Sequence, residues 1–301
     1  MAEGKRDVTR YGVGELYGFD LSHLPADQVR KLSSAKHTKV PCPFKPREAG
    51  QSIPKCSKQG GVCSLRQYAK GKSNRVTPLG FPVTTCPQRF LERNLIFEWV
   101  GETLLGTKKP LVISELPFLM SDGETGESGD PVGMIDKVLV NPAGTTLTWC
   151  ALEMQAVYFS GKSMENDFKL MRRWTTKEIP FPQAHRRPDF RSSGPKRLMP
   201  QLQIKVPTIS RWGKKMAVVV DKAFWESLST MRETRDVSNS EIAWFVVSYV
   251  SAGEGRFTLQ RHEVHFTTLS HAVEGLTGGT PMSLATFESE IRARMPRVLA
   301  N

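Results

Sequence analysis

Apolar runs of strand-like and helix-like period alternate along this chain with polar, Pro/Gly-rich stretches. Over 89–106, Phe90, Leu91, Leu95, Trp99 and Leu104 recur at helical spacing and Gly106 ends the pattern, so a helix is predicted there. PLVISELPFLM reads as a strand, and an acidic, Gly-rich loop, SDGETGESGDP, follows it. Two further apolar runs, GMIDKVLV and WCALEMQAVYF, flank a Gly/Pro/Asn-rich turn. KMAVVVD and IAWFVVSYV are dense in β-branched and aromatic residues, as in strands covered on both faces. DKAFWESL, PMSLATFESEIRARM and residues 162–175 read as helices. A short helix is expected around PADQVRKLSSAK, opened by Pro25, whose missing N–H costs nothing in a first turn. Residues 176–215 read as loop-rich and strongly basic. A helix, three strands, a helix and then further strands and helices predict an α/β fold, a mixed sheet flanked by helices.

Residues 41–88 depart from this pattern. Pro, Gly, Cys and Lys dominate and no apolar period lasts, so the segment needs another source of stability. With 301 residues, the chain suits one large domain or one domain with an accessory module. The expected division is an N-terminal segment at 1–40, a cysteine module at 41–88 and a main domain at 89–301 carrying a basic segment at 172–215.

Charge narrows the partner. Lys+Arg 42 against Asp+Glu 30 gives +12, which favours a polyanion such as nucleic acid, because Lys and Arg neutralise phosphates. No stretch approaches the ~20 apolar residues of a membrane span. The first residues lack the apolar core of a signal peptide. A cytoplasmic location with reduced thiols is therefore expected.

The candidate chemistry lies on the paired apolar runs. Residues two apart in a strand share a face, so Glu153 and Gln155 point the same way. If the two runs pair as a hairpin, Asp136 sits beside Glu153. Two carboxylates and a backbone carbonyl make a hard-oxygen site of the kind Mg²⁺ prefers. Glu115 on the preceding strand and Glu98 on the first helix are candidate additional acids. The bland reading of all these residues is half-exposed strands and helices with polar outer faces.

Cys42, Cys56, Cys63 and Cys86 all fall in the core-poor segment, whereas Cys150 falls in an apolar run and reads as a small buried hydrophobe. Four thiolates around Zn²⁺ or iron would fix the segment, because metal binding is then folding free energy. Basic residues crowd this segment and a later one. The later run contains Arg187, Arg191, Lys196 and Arg197, suited to DNA phosphates and, in part, to bases.

Several stretches resemble the NotI-like type II restriction endonucleases, the E-x-Q variant within the PD-(D/E)XK superfamily: KCSKQGGVCSLRQY, TTCPQRFLERNLIFEWVGETLLG, MIDKVL, CALEMQAVYFSG and RRPDFRSSGPKRLMPQLQIKVP. The resemblance implies a PD-(D/E)XK nuclease core with an N-terminal Cys₄ module. It implies Mg²⁺-dependent hydrolysis of double-stranded DNA at a GC-rich palindrome, with Asp136 and Glu153 as metal ligands and Gln155 in place of the superfamily lysine. It also implies iron at the Cys₄ site, a homodimer matching the palindrome, and a cognate DNA methyltransferase in the host. Glutamine cannot supply positive charge, and Lys137, as a neighbour of Asp136, faces the other way on a regular strand. A second textual match, Asp189 with Gln203-x-Lys205, is set aside because no strand precedes Asp189. Two alternatives remain: a non-catalytic, sequence-specific DNA-binding protein with a Cys₄ structural metal, and a metal-dependent phosphatase of small substrates.

Overall fold

The computed structural model describes residues 8–47, 50, 52–122, 128–278 and 282–299. The middle of the acidic loop, 123–127, lies outside them. Strand β1 (Val8–Leu16) turns into β2 (Phe19–Asp20) and is followed by α1 (Ala26–Ser34), which Pro25 opens as expected. β3 (Val62–Lys70) and β4 (Val76–Thr84) complete an antiparallel sheet of order β2-β1-β3-β4. The cysteine-rich stretch thus contributes two long strands that no hydrophobic period announces. β3 is held by pairing with β1 and by a small core of Val13, Leu16, Tyr17, Leu21, Val29, Val62 and Leu65, and β4 by pairing with β3.

This sheet is tied to the rest of the chain by a buried ion network. Arg89 donates through Nε to Glu15 at 3.1 Å, through Nη1 to Glu92 at 3.0 Å, and through Nη2 to the Phe257 carbonyl at 3.1 Å. Its guanidinium lies between the rings of Phe44 and Tyr249, 4.3 and 5.1 Å from their centroids. Every charged atom has a partner, which is the condition for burying such groups.

The helix predicted over 89–106 is broken into three pieces. A 3₁₀ stretch, Pro87–Asn94, is interrupted at Arg93, whose φ is 50°, and leads into α2 (Leu95–Val100). A π-helical turn, Gly101–Leu105, follows and ends at Gly106 in the left-handed conformation. Glycine meets that requirement without a Cβ penalty.

The main sheet comprises β5 (Leu111–Asp122), β6 (Ser128–Asn141), β7 (Thr148–Met154), β10 (Met216–Asp221), β11 (Ile242–Ser251) and β12 (Phe257–Thr267), in the order β12-β11-β10-β7-β6-β5. β7, β10 and β11 run parallel and the outer pairings are antiparallel. β10 is buried throughout, as its uninterrupted apolar run requires. Between β7 and β10 lie β8 (Phe159–Gly161), α3 (Glu165–Met171) and β9 (Arg186–Pro188), with β8 and β9 paired.

The segment expected to be loop-rich contains the longest departure from expectation. α4 (Phe190–Ser193), a π turn (Gly194–Leu198) and α5 (Met199–Arg211) follow one another without a break. Pro195 and Pro200 each fall in a first turn, where proline is tolerated, and Pro207 stands inside α5. Leu198, Leu202, Val206 and Ile209 form a stripe against Val138, Ala151, Val218 and Trp244 on one face of the sheet. Burial of that stripe outweighs the weak helix propensity. α6 (Lys222–Glu226) is capped by Asp221, which accepts from Phe224 N at 2.8 Å. α7 (Leu269–Thr277) and α8 (Leu284–Leu299) follow. The opposite face of the sheet packs on α2 through Phe97, Trp99, Leu139, Leu152 and Phe245. The observed fold is a mixed α/β sheet flanked by helices, as the sequence predicts.

Candidate active site

β6 and β7 pair with Lys137 opposite Leu152. One step along this antiparallel register sets Asp136 opposite Glu153. Both residues have the parity of Val138 and Ala151, which puts them on the sheet face that α5 covers. Glu153 is buried and Asp136 is exposed. Burial lifts the Glu153 carboxyl to about 7, against the pull of Lys205, and the neighbouring Asp136 charge adds to the rise. A buried carboxyl beside a second one favours its neutral form unless a cation pairs with it.

Lys205 of α5 provides one. Its Nζ donates to Glu153 Oε2 at 2.7 Å and lies 3.8 Å from Asp136 Oδ1. Gln201, one turn earlier, accepts a second Nζ–H at 3.1 Å. Among the described residues Lys205 is the one cation paired with either carboxylate. Two hard oxygen donors already gathered round a single positive charge suit a divalent cation that fills its remaining positions with water, backbone and phosphate oxygens.

The other expected residues are placed differently. Gln155 is buried, donates its backbone N–H to the Val219 carbonyl at 2.9 Å, and donates its side-chain amide to the Ala156 carbonyl. Glu115 is exposed, with φ at 56°. The pairs Ser114–Lys137 and Leu116–Ile135 set it across from Asp136. Glu98 and Lys137 line a separate cleft with Ser114, whose hydroxyl accepts from Lys137 at 3.0 Å. Asp189 caps α4 by accepting from Ser192 N at 3.0 Å. The second textual match therefore divides. Its aspartate serves as a helix cap, and its lysine enters the site. The signal for that lysine was its position, since Lys205 falls within the stripe of Leu198, Leu202, Val206 and Ile209, where an apolar residue is normal.

The four clustered cysteines are buried. Burial pushes the Cys56, Cys63 and Cys86 thiols up, and neighbouring cysteines oppose their ionisation further: Cys42 acts on Cys56 and Cys86, and Cys86 acts on Cys63. Among the described residues no group of three or more His, Cys, Asp or Glu side chains is arranged to hold a metal ion. The coordination sphere that the resemblance implies is therefore not formed in this structure.

The basic segment splits into internal and surface residues. Arg186 is buried, paired with Asp167 and donating to the Lys162 and Ser163 carbonyls at 2.9 and 2.7 Å. Arg187, Arg191, Lys196 and Arg197 are exposed, and three of them lie on the helical path that leads to Lys205.

Residues 27–259 match the family of the restriction endonuclease NotI, a span that takes in β3, β4, the main sheet as far as the start of β12, the carboxylate pair and α5. The chain belongs to that family. It is accordingly a site-specific restriction endonuclease of type II acting on double-stranded DNA. No curated protein matches the chain. No helix among the described residues is long and apolar enough to cross a membrane.

Proposed function

We propose that the protein is a Mg²⁺-dependent PD-(D/E)XK endonuclease that cleaves both strands of a GC-rich palindrome as a homodimer. The observation that carries this reading is the side-by-side placement of Asp136 and Glu153 under α5, gathered round one positive charge. Asp136 and Glu153 would hold the metal, which supplies charge to the phosphodiester and lowers the pKa of a bound water. Exposed Asp136 faces the incoming backbone, while buried Glu153 is fixed by its hydrogen bond from Lys205. Gln155 shapes the floor of the site through its buried amide, and Glu115 stands at the rim as a further acid. Hydrolysis joins a water oxygen to phosphorus and breaks the bond to O3′, leaving 5′-phosphate and 3′-hydroxyl ends.

Arg187, Arg191, Lys196 and Arg197 would meet the duplex. An arginine fork pairs with guanine O6 and N7, which suits a GC-rich site. Palindromic DNA calls for a two-fold protein, and a host methyltransferase of the same specificity would protect the genome. The division into 1–40, 41–88 and 89–301 is retained as a functional proposal, although β1 of the first segment pairs with β3 of the second. Iron or zinc at Cys42, Cys56, Cys63 and Cys86 rests on the resemblance alone, because the described residues gather no three of these side chains into a metal site.

The test is a digest of a long duplex of known sequence with Mg²⁺ and with EDTA. Discrete fragments that require Mg²⁺, with ends mapping to one GC-rich palindrome, are the expected result. An intact duplex in every condition would leave the DNA-binding alternative.

A further inference from the structure

Residue 155 carries a neutral amide, and that amide is spent on the Ala156 carbonyl. The carboxylate pair nevertheless has an ammonium, delivered from a different element. Lys205 is buried in the core-facing stripe of α5, where placing a charge is costly unless it is paired and hydrogen-bonded. Its Nζ has both conditions met by the site itself: Glu153 at 2.7 Å and Gln201 at 3.1 Å. Asp136 Oδ1, at 3.8 Å, is inside ion-pair range but beyond hydrogen-bond range. An ammonium has three N–H groups, so one is left pointing toward the open, Asp136 side of the site.

We propose that Lys205 is the cation of this active site, a positioning residue that enters from α5, holds Glu153 and Asp136 in place, and occupies the seat a divalent metal would take. Gln201 fixes the ammonium from one turn away. Asp136 and Glu153 would hold a divalent metal in that seat, and the Lys205 ammonium would then supply positive charge beside it. The same helical path carries Arg191, Lys196 and Arg197 at its start, so these basic side chains and the ammonium are borne by one continuous run of helix. This inference rests on the nuclease reading above.

The test compares wild type, Lys205→Met and Lys205→Met/Gln155→Lys, the last of which supplies the ammonium from position 155 instead of from α5. Three quantities are read: single-turnover cleavage in Mg²⁺, duplex affinity in Ca²⁺, and Mg²⁺ affinity of the DNA-free protein by calorimetry. In Lys205→Met, cleavage slows by about a hundredfold or more. Duplex affinity stays within about threefold, and Mg²⁺ binds more tightly because no ammonium competes. The double variant regains at least about tenfold of the lost rate, an effect that a purely packing role would not produce. Cleavage by Lys205→Met within about threefold of wild type, unchanged Mg²⁺ affinity, or no recovery in a folded double variant would each overturn the proposal. If Lys205→Met alone fails to fold, the folded double variant decides: cleavage supports the assignment and its absence refutes it. Failure of the wild type itself to cleave would instead remove the nuclease reading.

Discussion

The guanidinium of Arg197 lies over the ring of Tyr158, with Cζ 3.7 Å from the ring centroid. Tyr158 sits just before β8 and its backbone N–H is held by Ser193 Oγ at 2.8 Å. The stack thus fixes a planar, five-donor fork at the surface near the start of the helix that carries Lys205. A cation held on an aromatic face loses little freedom when it meets DNA.

Arg197→Ala is therefore expected to weaken duplex binding, and Tyr158→Ala to weaken it less and in the same direction. If Arg197 contacts a phosphate, the slope of log affinity against log salt falls by about one. If it reads a guanine, the slope is kept and discrimination at one base pair drops by about 1–3 kcal/mol. Binding titrations at several salt concentrations, on cognate and single-mismatch duplexes, separate these outcomes.

Arg89 and Glu15 predict a stability effect far from the chemistry. Both side chains are fully buried, and Arg89 also holds Glu92 and the Phe257 carbonyl. Arg89→Met leaves the Glu15 carboxylate buried without its cation. The expected loss is about 3–5 kcal/mol, read from the midpoint shift in urea denaturation. Glu15→Gln/Arg89→Met, which removes both charges, is expected to recover part of that loss.

The cysteine module gives a prediction about composition. Elemental analysis of protein purified without chelator is expected to find one iron or zinc per chain. If the cysteines hold a metal, its removal should lower the unfolding temperature, because a ligand that favours the folded state stabilises it. Cys86→Ser is expected to reduce both metal content and stability. Metal-free protein that unfolds at the same temperature as untreated protein would leave four buried thiols as ordinary core residues.

How much of this was legible in the sequence depends on which signal carried it. The pairing of Asp136 with Glu153 followed from a period of two and a turn between two apolar runs, and β6 and β7 form that hairpin. β10 and β11 were legible because uninterrupted β-branched runs have few alternatives to a covered sheet. Lys205 was named with Gln203 and set aside because the Pro-rich stretch around Asp189 reads as loop with no strand before it, whereas β9 does precede Asp189 and 190–211 is helical. β3 and β4 were missed for a different reason. β3 pairs with β1, which is some fifty residues away, and β4 pairs with β3 across a short turn but carries Pro78, Gly80 and Pro82, which read as loop. The broken helix at Arg93 was hidden because its apolar spacing continues across the kink.

The central claim is that Asp136 and Glu153 form one metal-dependent site for DNA cleavage. Its most direct test is the single-turnover cleavage rate of wild type and Asp136→Asn on the same duplex in Mg²⁺, with duplex affinity of both measured in Ca²⁺. Asp136→Asn is expected to bind DNA within about threefold of wild type and to cleave it slower by at least about a hundredfold. An Asp136→Asn protein that cleaves as fast as wild type would contradict the account.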